Sequence, residues 1–139
     1  MLVAGALFLA VSPVAARDYC EGNICFQNKA DRGCMKPEAK ALMESVAAKF
    51  GQIEVTSVCD GRHAKHSKHY RGEAFDFRPM TSGKTQAIVR YLKASDEVGG
   101  VGTYRNGLIH ADVGERKLAW GGGSFTKKTG RNSRYASLR

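Results

Sequence analysis

Two imidazoles and a carboxylate offer the clearest chemistry in this 139-residue chain. His69 and Asp76 sit seven residues apart in Ser67-Lys68-His69-Tyr70-Arg71-Gly72-Glu73-Ala74-Phe75-Asp76, and His110 follows in Ile109-His110-Ala111-Asp112. His, His and Asp suit one zinc ion, because a catalytic zinc takes about three protein ligands and leaves a fourth position for water. Gly72 lets the chain turn back between the first two, so that a loop and a strand each bring a ligand. His110 comes later, from a separate strand. Asp76 stands between Phe75 and Phe77, and a carboxylate so flanked on a strand needs a partner to offset burial. A metal ion is one such partner; Arg71 and Arg78 are others.

The residues around this set divide by position. Asp112 is two residues beyond His110 on the same strand, so both side chains share a face. It is the candidate general base, or else an outer partner that fixes an imidazole. Strand alternation turns Glu73 away from Ala74 and Asp76. Arg62 and Arg71 are candidates for binding a substrate carboxylate or an oxyanion. Tyr104 and Trp120 are candidates for lining a cleft, with core packing as the plainer alternative. Ser67 is placed to orient the loop by hydrogen bonding and to border a substrate. His63 and His66, spaced by three from one another and from His69, read as solvated bystanders or as an alternative metal set.

The pattern Ser-x-His-x-x-Gly-x-Ala-x-Asp, matched by Ser67, His69, Gly72, Ala74 and Asp76, resembles that of the zinc D-Ala-D-Ala carboxypeptidases and their hedgehog-like relatives. Leu108-Ile109-His110-Ala111-Asp112-Val113-Gly114-Glu115-Arg116-Lys117-Leu118-Ala119-Trp120 is similar to the segment that closes the small periplasmic branch of that family. The likeness runs from about residue 37 to residue 120. It implies that His69, Asp76 and His110 bind Zn2+, and that the substrate is a peptidoglycan stem or cross-link peptide cut by a carboxypeptidase or endopeptidase reaction. The chain departs from that pattern twice. Gly107 stands three positions before His110, where many members carry an acidic base. Ser57-Val58-Cys59-Asp60 replaces a Ser-Gly-Tyr-Arg stretch, leaving Arg62 as the nearest arginine.

The elements that must position these residues alternate along the chain. Pro37, Leu42, Val46 and Phe50 predict a helix closed by Gly51. Residues 53–58 read as a strand, 59–71 as a polar, basic loop, and 74–77 as a short strand. Ser82 is expected to cap a helix running to about Ala94, with Ile88, Val89 and Leu92 as its apolar stripe. Residues 99–104 and 108–113 suggest a hairpin turning at Arg105-Asn106-Gly107. The expected fold is α+β, a small, mainly antiparallel sheet with two packed helices; the resemblance makes it hedgehog/D,D-peptidase-like.

Residues 1–16 are uncharged, rich in Leu, Val and Ala, and end in Val14-Ala15-Ala16, which predicts a secretory signal peptide ahead of a domain at 17–123. This segment is too short to span a bilayer, so the chain is not read as an integral membrane protein. Cys20, Cys25, Cys34 and Cys59 form an even set that predicts disulfides and a periplasmic or secreted protein. Of three connectivities, Cys20–Cys25 with Cys34–Cys59 is preferred. The net charge of +9, with a basic tail at 124–139, points to contact with polyanions such as cell-wall polymers. No stable nucleic-acid partner is expected. A non-catalytic cell-wall-binding domain is the second functional class, and a basic exported nuclease, which no motif beyond charge and histidine supports, is the third.

Overall fold

The computed structural model describes residues 19–27, 30, 32–121 and the backbone of 136–137. The expected signal peptide and, apart from Ala136 and Ser137, the basic tail lie outside the described residues. Strands β1 (Tyr19–Glu21) and β2 (Ile24–Phe26) precede helix α1 (Pro37–Phe50) and strand β3 (Ile53–Ser57). A 3-10 turn, Lys68–Arg71, leads into β4 (Ala74–Pro79), and helix α2 (Thr85–Ala94) follows. Strands β5 (Gly100–Thr103), β6 (Ile109–Asp112), β7 (Leu118–Gly121) and β8 (Ala136–Ser137) complete the order.

The fold is α+β, with one eight-stranded sheet ordered β1-β2-β3-β4-β6-β5-β7-β8. The expectation of a mainly antiparallel sheet needs correction, because the sheet is mixed. β2 runs parallel to β3, and β5 parallel to β7. The parallel pairs arise at strands that the sequence reading left out. β1, β2 and β7 have only three or four residues each, too few for alternation to register.

Helix α1 has the expected boundaries. Pro37 opens it, and the Gly51 N–H closes it on the Ala47 carbonyl at 3.0 Å. Helix α2 starts two residues later than expected. Ser82 and Gly83 form a turn instead, and Lys84 precedes the helix without a side-chain cap. Ile88 and Leu92 are its buried residues, while Val89 is only partly covered.

Alternation along the central strands decides where chemistry can sit. Phe75 and Phe77 of β4, and Ile109 and Ala111 of β6, join Leu42 and Val46 of α1 and Ile88 and Leu92 of α2 in the core. Their alternate neighbours, Ala74 and Asp76 on β4 and His110 and Asp112 on β6, therefore occupy the opposite face. One face of the sheet is core, and the other carries polar groups.

Disulfides join Cys20 to Cys25, directly opposite one another in the β1–β2 hairpin, and Cys34 to Cys59. There is no free cysteine among the described residues. Two disulfides in a domain of this size belong to an oxidising environment. No helix among the described residues is long and apolar enough to cross a membrane. Cys34–Cys59 ties the segment before α1 to the loop after β3, so replacing both by Ser is expected to cost about 2–5 kcal/mol, measured by chemical denaturation.

Candidate metal centre

His69 reaches the polar face from the 3-10 turn. The Ser67 hydroxyl caps that turn by accepting the His69 N–H at 3.3 Å. Gly72 ends it at φ 68°, a left-handed conformation that side chains other than glycine adopt at a cost. A Cβ on Gly72 would also lie 2.0 Å from the Cys34 carbonyl oxygen. Its own carbonyl accepts the Lys36 N–H at 2.8 Å, so the turn is docked onto the segment before α1. Glu73 points away from the site, as alternation requires, and pairs with Lys36 at 2.6 Å and Lys68 at 3.1 Å.

Strand register brings the other two residues alongside. Asp76 of β4 is paired with His110 of β6, and His110 with Gly102 of β5. His69 Nε2, His110 Nδ1 and Asp76 Oδ1 then form a triangle with sides of 3.1, 2.9 and 3.3 Å. His69 and His110 are almost fully buried, and Asp76 is half-buried. Neither Arg71 nor Arg78 partners Asp76; Arg71 is exposed, and Arg78 pairs with Glu54.

Hydrogen bonding at the far edge of each ring sets its tautomer. The Val58 carbonyl faces His69 Nδ1 and can only accept, so Nδ1 carries the proton and Nε2 is bare. Asp112 Oδ2 faces His110 Nε2 at 3.1 Å, so Nε2 carries the proton and Nδ1 is bare. The triangle thus consists of two imidazole lone pairs and a carboxylate oxygen, with no proton among neutral rings to share. Only a cation or an added proton makes such an arrangement favourable.

Asp112 is itself held firmly. Its Oδ1 accepts the N–H groups of Gly100 and Gly114, each at 2.9 Å, and its Oδ2 meets His110. Burial opposes its ionisation, but the His110 bond and the two backbone donors outweigh that and lower its pKa. Asp76 follows the same pattern: burial opposes its ionisation, but its interactions with the His110 and His69 rings outweigh that and lower its pKa. For His110, burial favours the neutral ring, but bonds to Asp112 and Asp76 and their charges prevail and raise its pKa to about 9. A proton on His110 is the metal-free way to satisfy the triangle.

That shift has a definite sign. The folded pKa of about 9 lies above the ordinary 6.5, so its stabilisation is complete below pH 6.5 and is lost as pH rises towards 9. Metal-chelated protein is expected to lose on the order of 3 kcal/mol across that window. The loss should shrink with metal bound, because a cation then replaces the proton. Thermal melts from pH 6 to 9.5, with and without chelator, measure both.

Among the other sequence candidates, Trp120 lies beside the centre, its ring centroid 5.0 Å from that of His110. Ser67 acts on the turn that carries His69. Arg62 and Arg71 are exposed and form no ion pair with any described residue; Tyr104 is exposed at the β5–β6 turn. The residue that sequence reasoning undervalued is His63. His63, His69 and Asp76 form a group that could hold a metal ion, their donor atoms all within 4.8 Å of one another. His63 is half-buried, with its ring stacked on His69 at 3.9 Å. Its six-residue separation from His69 was the available signal, but an irregular loop gives such spacing no geometric meaning. No protein-family model and no curated protein matches this chain.

Proposed function

We propose that this chain is a zinc-dependent peptidase of the periplasm or cell exterior, acting on peptidoglycan stem or cross-link peptides. The observation that carries the metal is the buried triangle of three proton-free donor atoms. Zinc–ligand bonds of about 2.0–2.2 Å in tetrahedral geometry place ligand atoms roughly 3.3–3.5 Å apart, close to the sides observed. Nitrogen and oxygen donors of this kind suit zinc better than a hard cation that prefers oxygen alone. Zinc in such a centre supplies Lewis acidity, polarising a carbonyl and acidifying water.

The chain's own residues supply the rest. His69, Asp76 and His110 hold the ion, and Val58 and Asp112 fix the two rings from behind. Asp112 serves as a positioning residue rather than as the base, since both of its oxygens are already engaged. The five matched motif positions support a peptide substrate, the two disulfides support export, and the charge of +9 supports contact with anionic wall polymers. Incubating zinc-loaded protein with purified muropeptides and weighing the products tests the function. Zinc binding without any cleavage would favour the alternative, a cell-wall-binding domain, for which Gly107 in place of an acidic residue speaks.

Asp112→Asn separates the two roles of that residue. An amide whose oxygen still accepts from Gly100 and Gly114 turns its NH2 towards His110 Nε2. The ring proton is then driven to Nδ1, where the metal lone pair should be. Zinc affinity is expected to fall about 10–100-fold, with turnover recovered by excess zinc. A base would instead show intact zinc binding and a roughly 10²–10⁴-fold loss of turnover.

A further inference from the structure

We propose that His63 is a positioning residue of the metal centre, an imidazole that does not bind the ion but holds the ring plane of His69. This inference rests on the reading of His69 as a ligand. The rings of His63 and His69 are parallel to within 1°, with centroids 3.9 Å apart. An imidazole lone pair lies in the plane of its ring, so an ion bound to His69 Nε2 lies in the His69 plane. Two parallel planes a stacking distance apart cannot both contain that ion. The short distances from His63 to the donors of His69 and Asp76 therefore describe a stack and not a shared coordination shell.

The plate is itself built in. His63 Nε2 lies 2.7 Å from the Asp60 carbonyl and 3.3 Å from the Ser57 hydroxyl. The Tyr70 hydroxyl accepts the His63 N–H and donates to the His63 carbonyl, both at 2.9 Å, and the Tyr70 ring meets the imidazole edge-on at 5.7 Å. Tyr70 adjoins His69, and Asp60 lies two residues after Val58, whose carbonyl holds the His69 edge. One loop thus constrains both the edge and the face of the same ligand.

Both constraints are needed. A single hydrogen bond at Nδ1 lets the ring rock about the bond axis, and the outer torsion of histidine has only a broad, shallow preference of its own. A flat group against the ring face removes that freedom and covers a side chain that is 2% exposed.

The test uses the full chain, with zinc affinity read by competition against a chromophoric chelator and coordination read from the Co2+ absorption spectrum. His63→Ala is expected to weaken zinc about 10–100-fold, as loss of an outer partner does. His63→Phe keeps a flat face and gives up only the Nε2–H; Ser57 Oγ still donates to the Asp60 carbonyl at 3.2 Å. It should retain affinity to within a few-fold, with an unchanged cobalt spectrum. Unchanged affinity in His63→Ala would overturn the proposal in favour of a bystander. Equal losses in the Ala and Phe variants, with a cobalt spectrum altered in both, would overturn it in favour of a fourth ligand. Should His63→Phe fail to fold, Tyr70→Phe at an exposed position asks the same question; it should weaken zinc several-fold, and no change would count against the proposal. Wild-type protein without stoichiometric zinc, or His69→Ala that keeps its zinc, would overturn the metal reading itself and is distinguishable from these outcomes.

Discussion

His69→Ala and His110→Ala proteins are expected to purify without stoichiometric zinc, whereas the wild type is expected to carry one ion per chain. The loss should exceed the roughly 10–100-fold that follows removal of an outer partner, because a coordinating atom is removed outright. The two variants should differ in stability. His69→Ala leaves Asp76 bonded to His110 at 2.9 Å, so its carboxylate stays partnered. His110→Ala takes the shared partner from both Asp76 and Asp112 and leaves the Asp112 carboxylate buried on its two backbone donors alone. Removing one member of a buried charged pair commonly costs about 3–5 kcal/mol, so His110→Ala should also unfold at lower denaturant. Asp76→Asn, nearly isosteric, should lose zinc without that packing defect. Zinc content by plasma emission and urea midpoints read the two effects separately. Full zinc occupancy in both histidine variants would remove the metal centre from this face of the sheet.

The shared face of Asp76 and His110 was legible because each residue announced itself locally. Asp76 alternated with Phe75 and Phe77, and His110 with Ile109 and Ala111, so period-two geometry alone put both on the polar face. The helix at 37–50 was equally plain, with proline at one end, glycine at the other and apolar residues between. What the sequence did not disclose depends on contacts between distant segments. Asp112 was open to two roles, and the contacts that favour the positioning role in the proposed reading are the N–H groups of Gly100 and Gly114, which only register and a loop bring to its Oδ1. The relation of His63 to His69 is set by Tyr70 and Asp60 within an irregular loop that has no period to read. Strand β7 was missed because its four residues carry one buried side chain, yet it delivers Trp120 to the side of His110.

Gly100→Ala should be among the most damaging single substitutions outside the ligands, although glycine has no chemistry of its own. On β5, Val101 faces the core, while Gly100 and Gly102 face the polar side, between the strands that carry His110 and Trp120. A Cβ on Gly100 would stand 2.1 Å from Asp112 Oδ2, and one on Gly102 would stand 2.5 Å from the Trp120 ring. These two positions are the room in which the Asp112 carboxylate and the indole lie behind His110. Overpacking of this kind typically costs about 1–3 kcal/mol. At Gly100 it also displaces the carboxylate that fixes the His110 tautomer, so a fall in zinc affinity of about 10–100-fold should accompany the lost stability. Gly107→Ala is the control. Its φ of 79° makes alanine unfavourable by roughly 1–2 kcal/mol, but a Cβ there meets nothing within 4 Å. That variant should lose stability and keep its zinc affinity. Equal zinc affinity in Gly100→Ala and Gly107→Ala would show that Asp112 can leave its seat without consequence, and Asp112 would then have no positioning role.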